Sequence, residues 1–541
     1  MKTVLTALNA RFAHSSLALR YLRRYNAEFD IRLAEFSIND NLHHMFASLL
    51  EDRAEVYGFS CYIWNMELTL KLAEMIKRAL PDAVVVLGGP EAGWRAEQVL
   101  RDCAFVDLVM TGEGEETLKE LLAALEAGNA AESLPAVPGL ARRGRACVKR
   151  PPLDLRTMPQ PYTPEDLMGL RGRIVYFETS RGCPFHCSYC LSSAEGAVRA
   201  FPREYVKTGL AMLFAAEVPL VKLIDRTFNY DSGRAAEILR FVLNSNKNTC
   251  VHMELEPRIL TGELIALLGS APKGMFQVEM GIQSANARTL EAIGRTSDLE
   301  RTAVNIRRLQ AFRNMHIHLD LIAGLPYEDY ESFGNSFDFV YSLRPDMLQL
   351  GFLKVLHGTA IRENADVTAV DFPPYEVVAT RWISAAELCR LKEVEEAVEL
   401  FYNSGVFVQT MERLACARPF RMFEALGRLL ARAQAGGKLK RRELYSLLYN
   451  AYGEELRPAL AEDFIRNNKS VPLPEFTRPQ RERGFKDRTW RLMKQPWFCE
   501  KYGIDPDLSR LRFERMDGRA YMMDYKTGAL FDITPDMEKM K

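Results

Sequence analysis

Apolar runs and helical-period segments alternate through the first part of the chain. Strand-like runs fall at residues 3–8, 31–36, 56–60, 83–87 and 108–111. Between them, apolar residues recur at helical spacing over 17–25, 67–80 and 117–125. Near-continuous apolar strands separated by amphipathic helices predict a parallel sheet covered on both faces. Ligands of such sheets sit beyond the strand C-termini. The residues there include Ser15, then Ser60, Tyr62, Trp64 and Asn65, then Gly88, Gly89, Pro90 and Glu91, and finally Gly112, Glu113, Gly114 and Glu115. Glycines and small hydroxyls let backbone amides approach a ligand closely. No G-x-G-x-x-G follows the first strand, and the glutamates disfavour a pyrophosphate, so a dinucleotide is not the expected occupant.

The same alternation resumes at residue 174. Strands are predicted at 174–180, 221–228, 251–256, 276–283, 316–323 and 347–355, and helices at 205–216, 233–244, 261–268, 299–312 and 330–343. Six strand–helix units with polar residues at the strand C-termini predict a partial (β/α)6, TIM-like barrel with its site at that face. The intervening residues 131–172 are rich in Pro and basic residues and read as a linker, with a small hairpin at 142–145. Beyond residue 365 the pattern turns mainly helical (375–400, 420–433, 441–449). It ends in a hairpin of strands 511–514 and 521–525 around Asp517 and Gly518, then a short strand at 529–533. The domain plan is thus 1–130, linker 131–172, 173–365 and 366–541.

Composition changes little. The 541 residues are 48% hydrophobic and 26% charged, with 71 Lys plus Arg against 71 Asp plus Glu. Charge balance gives no overall pull toward nucleic acid or membrane. The longest apolar run is far short of the ~20 residues that a membrane span requires. Residues 4–8 are broken by Asn9 and Arg11 and do not form a signal peptide. In the C-terminal third, the basic segments 418–442 and 478–494 are interrupted by Glu424, Glu443, Glu482 and Asp487. They read as solvated helix faces rather than a nucleic-acid surface. A cytoplasmic enzyme is expected.

Cys183, Cys187 and Cys190 supply the chemistry. Their C-x3-C-x2-C spacing, on a loop leaving a predicted strand, lets three thiolates serve one metal centre. A structural zinc takes four protein ligands, and His186 is the one nearby candidate for the fourth. A cubic iron–sulfur cluster held by three cysteines leaves one iron open. The other cysteines are scattered singly, which argues against disulfides.

This run, with Tyr189 just before the last cysteine, resembles the C-x3-C-x-aromatic-C motif of radical S-adenosylmethionine enzymes. The resemblance implies a [4Fe–4S] cluster whose open iron is chelated by S-adenosyl-L-methionine, and a six-unit barrel with the cluster loop after its first strand. It also assigns the strand ends. Asp225, with Arg226 beside it, would accept from the amino group of the cofactor. Glu256 would take the ribose hydroxyls. Gln283, Ser284 and Arg295 would contact sugar or carboxylate, and the strand around Leu321 would receive the adenine.

The first domain, through its Gly-Phe-Ser-x3-Trp-Asn, Leu-Gly-Gly-Pro and Gly-Glu-Gly-Glu segments, resembles the Rossmann-like (flavodoxin-like) cobalamin-binding domain found in many of these enzymes. The D-x-H-x-x-G signature is absent, and His43 and His44 belong to a predicted helix. The resemblance therefore implies a corrinoid bound without a protein histidine. The implied function is methylation of an unactivated carbon through a 5′-deoxyadenosyl radical, fed by an external electron donor such as flavodoxin or ferredoxin. Two alternatives stand beside it: non-methylating radical chemistry (cyclisation, rearrangement or oxidation), and a catalytically inactive cobalamin sensor or docking protein.

Overall fold

In the computed structural model the described residues are 1–539 except 195, 297 and 506. The final two residues of the predicted C-terminal domain lie outside them. The chain divides into two compact units, Met1–Leu388 and Cys389–Lys541.

The first unit opens with a sheet of β1 (Lys2–Asn9), β2 (Asp30–Ser37), β3 (Val56–Ser60), β4 (Val84–Gly88), β5 (Leu108–Met110) and β6 (Leu140–Ala141). Its order is β2-β1-β3-β4-β5-β6. The first five strands are parallel, and β6 joins β5 antiparallel. Thus the expected linker region supplies an edge strand, while Arg142 and Arg145 bridge as the expected small turn. Helices α1 (Leu17–Tyr25), α2 (Leu42–Glu51), α3 (Met66–Ala79), α4 (Pro90–Trp94), α5 (Ala96–Asp102) and α6 (Glu115–Glu126) connect the strands. Strand alternation sends Val4 and Leu8 into one core and Leu5 and Ala7 into the other. Both faces are therefore covered. The strand order reverses between β1 and β3, where flavodoxin-like sheets hold their ligands.

After α7 (Pro164–Gly169) come β7 (Val175–Phe177) and a tight antiparallel pair, β8 (Ser180–Arg181) and β9 (Arg199–Ala200), which brackets the cysteine loop. The strands β10 (Leu220–Leu223), β11 (Cys250–Glu254), β12 (Phe276–Gln283), β13 (His316–Ala323) and β14 (Met347–Phe352) follow. Their order, β14-β13-β12-β11-β10-β7, is sequential, and every pairing is parallel. β7 and β14 stand at the two ends, so the barrel is partial. On β12, Phe276, Val278, Met280 and Ile282 are buried, whereas Gln277, Glu279 and Gln283 alternate with them on a more open, polar face.

One expected helix is corrected. Residues 375–384 are not helical: β15 (Val367–Ala369) and β16 (Val377–Thr380) form a hairpin, and the helix runs Ala385–Ala397. Pro373 and Pro374 lack the amide donors a helix needs, and Val377 and Val378 favour extended backbone. The helix starts where a capping box can form: Ser384 Oγ accepts from Glu387 N at 3.3 Å, and the Glu387 carboxylate accepts from Ser384 N at 2.9 Å.

The second unit is helical up to Tyr502 and closes with three antiparallel strands, Leu511–Met516, Arg519–Asp524 and Ala529–Asp532. Asp517 and Gly518, with φ of 50° and 82°, make the turn the sequence predicts. Among the described residues, no helix is long and apolar enough to cross a membrane.

Candidate functional site

The cysteine loop is fixed by backbone geometry. Gly182 has φ +92°, and a Cβ there would lie 3.0 Å from the Ala197 carbonyl oxygen, so only glycine lets β8 approach β9. The Ser188 amide donates to Ile293 O at 3.0 Å, and Cys190 N donates to Cys187 O at 3.1 Å. Gly294, with φ +73°, comes so close to the loop that a Cβ would sit 2.9 Å from His186 O. Burial pushes the Cys187 thiol pKa up; Arg295 opposes this, and Cys190 and Cys183 add to it, so the three thiols are electrostatic neighbours. His186 is exposed. Among the described residues no three His, Cys, Asp or Glu side chains are gathered around a single metal-ion position. A cubane cluster needs one thiolate per iron rather than convergence on one ion, and a purely thiolate donor set suits iron–sulfur chemistry.

The strand ends sort into two groups. Tyr189, Glu256, Gln283 and Arg295 come together. The Arg295 guanidinium donates to Glu256 Oε2 at 2.7 Å and Gly281 O at 2.9 Å, and its positive charge acts on the neighbouring Tyr189 hydroxyl. Gln283 adopts φ +70°, and its Oε1 is buried without a partner. Asp225 and Ser284 are occupied elsewhere. Asp225 accepts from Thr179 N at 2.9 Å and from Thr179 Oγ1 and Ser180 Oγ at 2.6 Å each, and so ties down the turn ahead of the cysteines. Ser284 donates to Glu328 Oε1 at 2.7 Å and is fully buried. Leu321 is likewise fully buried on β13. Arg226 is exposed and electrostatically faces both Glu254 on β11 and Tyr62 of the first sheet. Burial, reinforced by Glu279, raises the Glu254 carboxyl to about 7.

At the C-terminal edge of the first sheet, Tyr62 and Trp64 stack with ring centroids 4.4 Å apart, and Trp64 is 47% exposed. Asn65 underpins that loop: its Nδ2 donates to Ser60 O at 2.9 Å and Leu8 O at 3.0 Å, and its Oδ1 accepts from Tyr62 N at 2.8 Å. Gly89 has φ +97°, and a Cβ would strike Cys61 O at 2.7 Å. Pro90 opens α4 and Gly114 caps α6. A Cβ at Gly112 would meet open space. A stacked aromatic pair with Trp64 exposed, beside glycine-lined strand ends, suits a broad planar ligand such as a corrin. Ser15 donates to Ile174 O at 2.9 Å and joins the sheet to the start of the barrel.

The carboxylates of this edge have partners that sequence reasoning did not find. Glu91 pairs with Arg95 at 2.8 Å and accepts from the buried Tyr375 hydroxyl. Glu113 pairs with Arg199 at 2.6 Å and Arg181 at 2.9 Å, and Glu115 with Arg181 at 2.7 Å. Arg181 also reaches Glu178 at 2.9 Å. The visible clue was Arg181 itself, standing two residues before Cys183 as the one cation in the polar strand end Glu178-Thr179-Ser180.

Comparison with known proteins joins these features. Residues 3–122 match the B12 binding domain, 177–340 the Radical SAM superfamily, and 366–507 a family described as a protein of unknown function (DUF4080). The chain is 29% identical over 304 residues to the cobalamin-dependent radical SAM methyltransferase TokK of Streptomyces tokunonensis, covering 52% of this chain and 44% of that protein. It is 29% identical over 335 residues to a 2-(S-pantetheinyl)-carbapenam-3-carboxylate methyltransferase of Streptantibioticus cattleyicolor, covering 57% and 48%. The chain thus spans less than half the length of these curated relatives. The radical S-adenosylmethionine methyltransferase TsrM from Kitasatospora setae, solved with cobalamin and a [4Fe–4S] cluster, shares the fold: TM-score 0.57 at 18% identity, over 69% of this chain and 79% of that one. The chain thus matches, in order, a B12 binding domain, a Radical SAM domain and a C-terminal domain of unknown function.

Proposed function

We propose that the chain is a cobalamin-dependent radical S-adenosylmethionine enzyme that methylates an unactivated carbon. The observation that carries this reading is order along one unit. A B12-type sheet is followed by a partial barrel whose first loop holds Cys183, Cys187 and Cys190 and no fourth cysteine. Those thiolates would hold a [4Fe–4S] cluster; Tyr189, Glu256, Gln283 and Arg295 would hold S-adenosylmethionine. Ser60, Tyr62, Trp64, Gly88, Gly89 and Gly112 would hold the corrinoid. Bound there, the cluster with S-adenosylmethionine supplies a 5′-deoxyadenosyl radical, and the corrinoid supplies a transferable methyl group.

The chain's own residues position and shield. Arg295, fixed by Glu256 and Gly281 O, presents a half-buried cation beside Tyr189 and Cys187. Asp225 holds the turn that launches the cysteine loop. Arg226 is the charged group that faces both halves of the site, and Glu254, with a pKa of about 7, holds or releases a proton on its carboxyl near neutral pH. We take residues 1–130, 173–365 and 366–541 as the functional domains. The partners are a substrate and an external one-electron donor.

The test is anaerobic reconstitution with iron, sulfide and hydroxocobalamin, followed by reduction and assay for 5′-deoxyadenosine. Product above a Cys183→Ala, Cys187→Ala, Cys190→Ala control supports the reading, and its absence overturns it. Retention of corrinoid absorbance by the same control separates loss of the cluster from loss of the fold.

A further inference from the structure

The far edge of the first sheet carries a cavity that the proposed chemistry does not use. It has a volume of about 480 Å³ and is lined by Arg95, Arg101, Arg142, Arg145 and Lys149 against one carboxylate, Glu97. Arg95 is committed to Glu91 at 2.8 Å and Arg101 to Asp102 at 3.1 Å. Arg142 donates to the Leu134 carbonyl. Arg145 and Lys149 are exposed, with no ion-pair partner among the described residues. The chain sets Arg142 and Arg145 opposite each other in a bridge, where like charges repel. Burial, and to a lesser extent the neighbouring Arg145, lower the Arg142 pKa.

The cavity also has an aromatic wall. Trp94 lines it and is 50% exposed, its indole held against Gly358, where a Cβ would come within 2.4 Å of the ring. Thr111 and Ala141, at β5 and β6, also line it, together with Cys147 and His357. That edge lies two strands from the β1/β3 switch point, where a corrin belongs. Guanidinium groups recognise phosphate, an exposed indole stacks on flat rings, and the volume falls in the range of small-molecule sites.

We propose that this cavity binds a phosphate-bearing organic molecule of nucleotide size, separate from the corrinoid. The inference stands on the chain's own charges and does not require the corrinoid reading. The corrinoid's nucleotide phosphodiester is the competing occupant.

The experiment is calorimetric titration of the full chain with adenosine 5′-monophosphate and with adenosine. The nucleotide is expected to bind, with adenosine at least about tenfold weaker, the scale of one charge-assisted hydrogen bond. Arg145→Ala/Lys149→Ala, at two exposed positions, is expected to weaken nucleotide binding about tenfold at unchanged melting temperature, while Arg145→Lys retains it. A wild-type chain that does not bind the nucleotide, or a double variant that binds it equally well, overturns the proposal. The same variant is titrated with cobalamin and with cobinamide, which lacks the nucleotide loop. Loss of cobalamin alone assigns the cavity to the corrinoid and also overturns it; unchanged affinity for both supports a separate ligand.

Discussion

Arg181 donates from Nη2 to Oε1 of Glu115 at 2.7 Å, so the residue two before the first motif cysteine is tied to the first turn of α6, just beyond β5. The same guanidinium reaches Glu113 and Glu178 and lies over the rings of Tyr21 and Phe201. One side chain therefore fixes the cysteine loop of the barrel relative to the strand ends of the N-terminal sheet. A radical generated at one and a methyl group carried by the other would need that separation held constant.

Replacing Arg181 is expected to be costly. Arg181→Met leaves three largely buried carboxylates without their shared cation, a loss on the order of 3–5 kcal/mol. Arg181→Lys is expected to recover only part, because a single ammonium lacks the planar fork that serves three acceptors. Urea unfolding of the three proteins decides it: a Met variant with the wild-type midpoint would refute the coupling.

Gly294→Ala tests the seat of the cysteine loop. The new methyl would meet His186 O at 2.9 Å on a backbone with φ +73°, a strain on the order of 1–3 kcal/mol. The expected outcome is lower iron and sulfide content after reconstitution, with less loss in Gly112→Ala, where φ is +71° but nothing lies within 4 Å. Equal iron content in the two variants would count against a role for the close contact.

Tyr375→Phe should loosen the hairpin that follows the barrel. Tyr375 is fully buried; its hydroxyl donates to Glu91 and accepts from Arg95 at 2.7 Å. Removing it leaves Glu91 short of a donor, at a cost of about 1–3 kcal/mol. Denaturant unfolding reads the change, and an effect below the precision of the fit would show that Arg95 alone satisfies Glu91.

Glu328 should give stability a pH dependence of definite sign. Burial raises its pKa from 4.5 to about 7, against the opposing bonds from Ser284 and Ser336. The folded chain therefore holds a proton that the unfolded chain releases between those values. Its contribution is complete below about pH 4.5 and is lost as pH rises through about 7, on the order of 3 kcal/mol in all. Glu328→Gln is expected to flatten that window and to be more stable than wild type at pH 8. Parallel stability–pH curves for the two proteins would exclude the assignment.

Much of the fold was legible because its signals are local. The strands 276–283 and 316–323 and the helix 17–25 are read from periodicity to the residue, since each keeps one face buried along its whole length. The helix expected from residue 375 fails at its start, because Pro373 and Pro374 and the pairing of Val377–Thr380 with Val367–Ala369 outweigh helical spacing. In the candidate site, Arg295 binds Glu256 and lies beside Tyr189 of the cysteine loop. Asp225 and Ser284, chosen by the same logic, are occupied by Thr179 and Ser180 and by Glu328. A carboxylate or hydroxyl at a strand end looks the same in sequence whether it faces a ligand or a buried neighbour.

By itself, the sequence determined the two αβ patterns, the three-cysteine motif and their order along the chain. Each follows from spacing within a few residues, where backbone geometry leaves little choice. Only the tertiary structure decided which charges are spent: Glu113 and Glu115 on Arg181, 68 and 66 residues away, and Glu91 on Tyr375, 284 residues away. It also decided which charges remain available, as at Arg145 and Lys149. Pairing depends on where the packed elements bring side chains in space, and no local pattern encodes that.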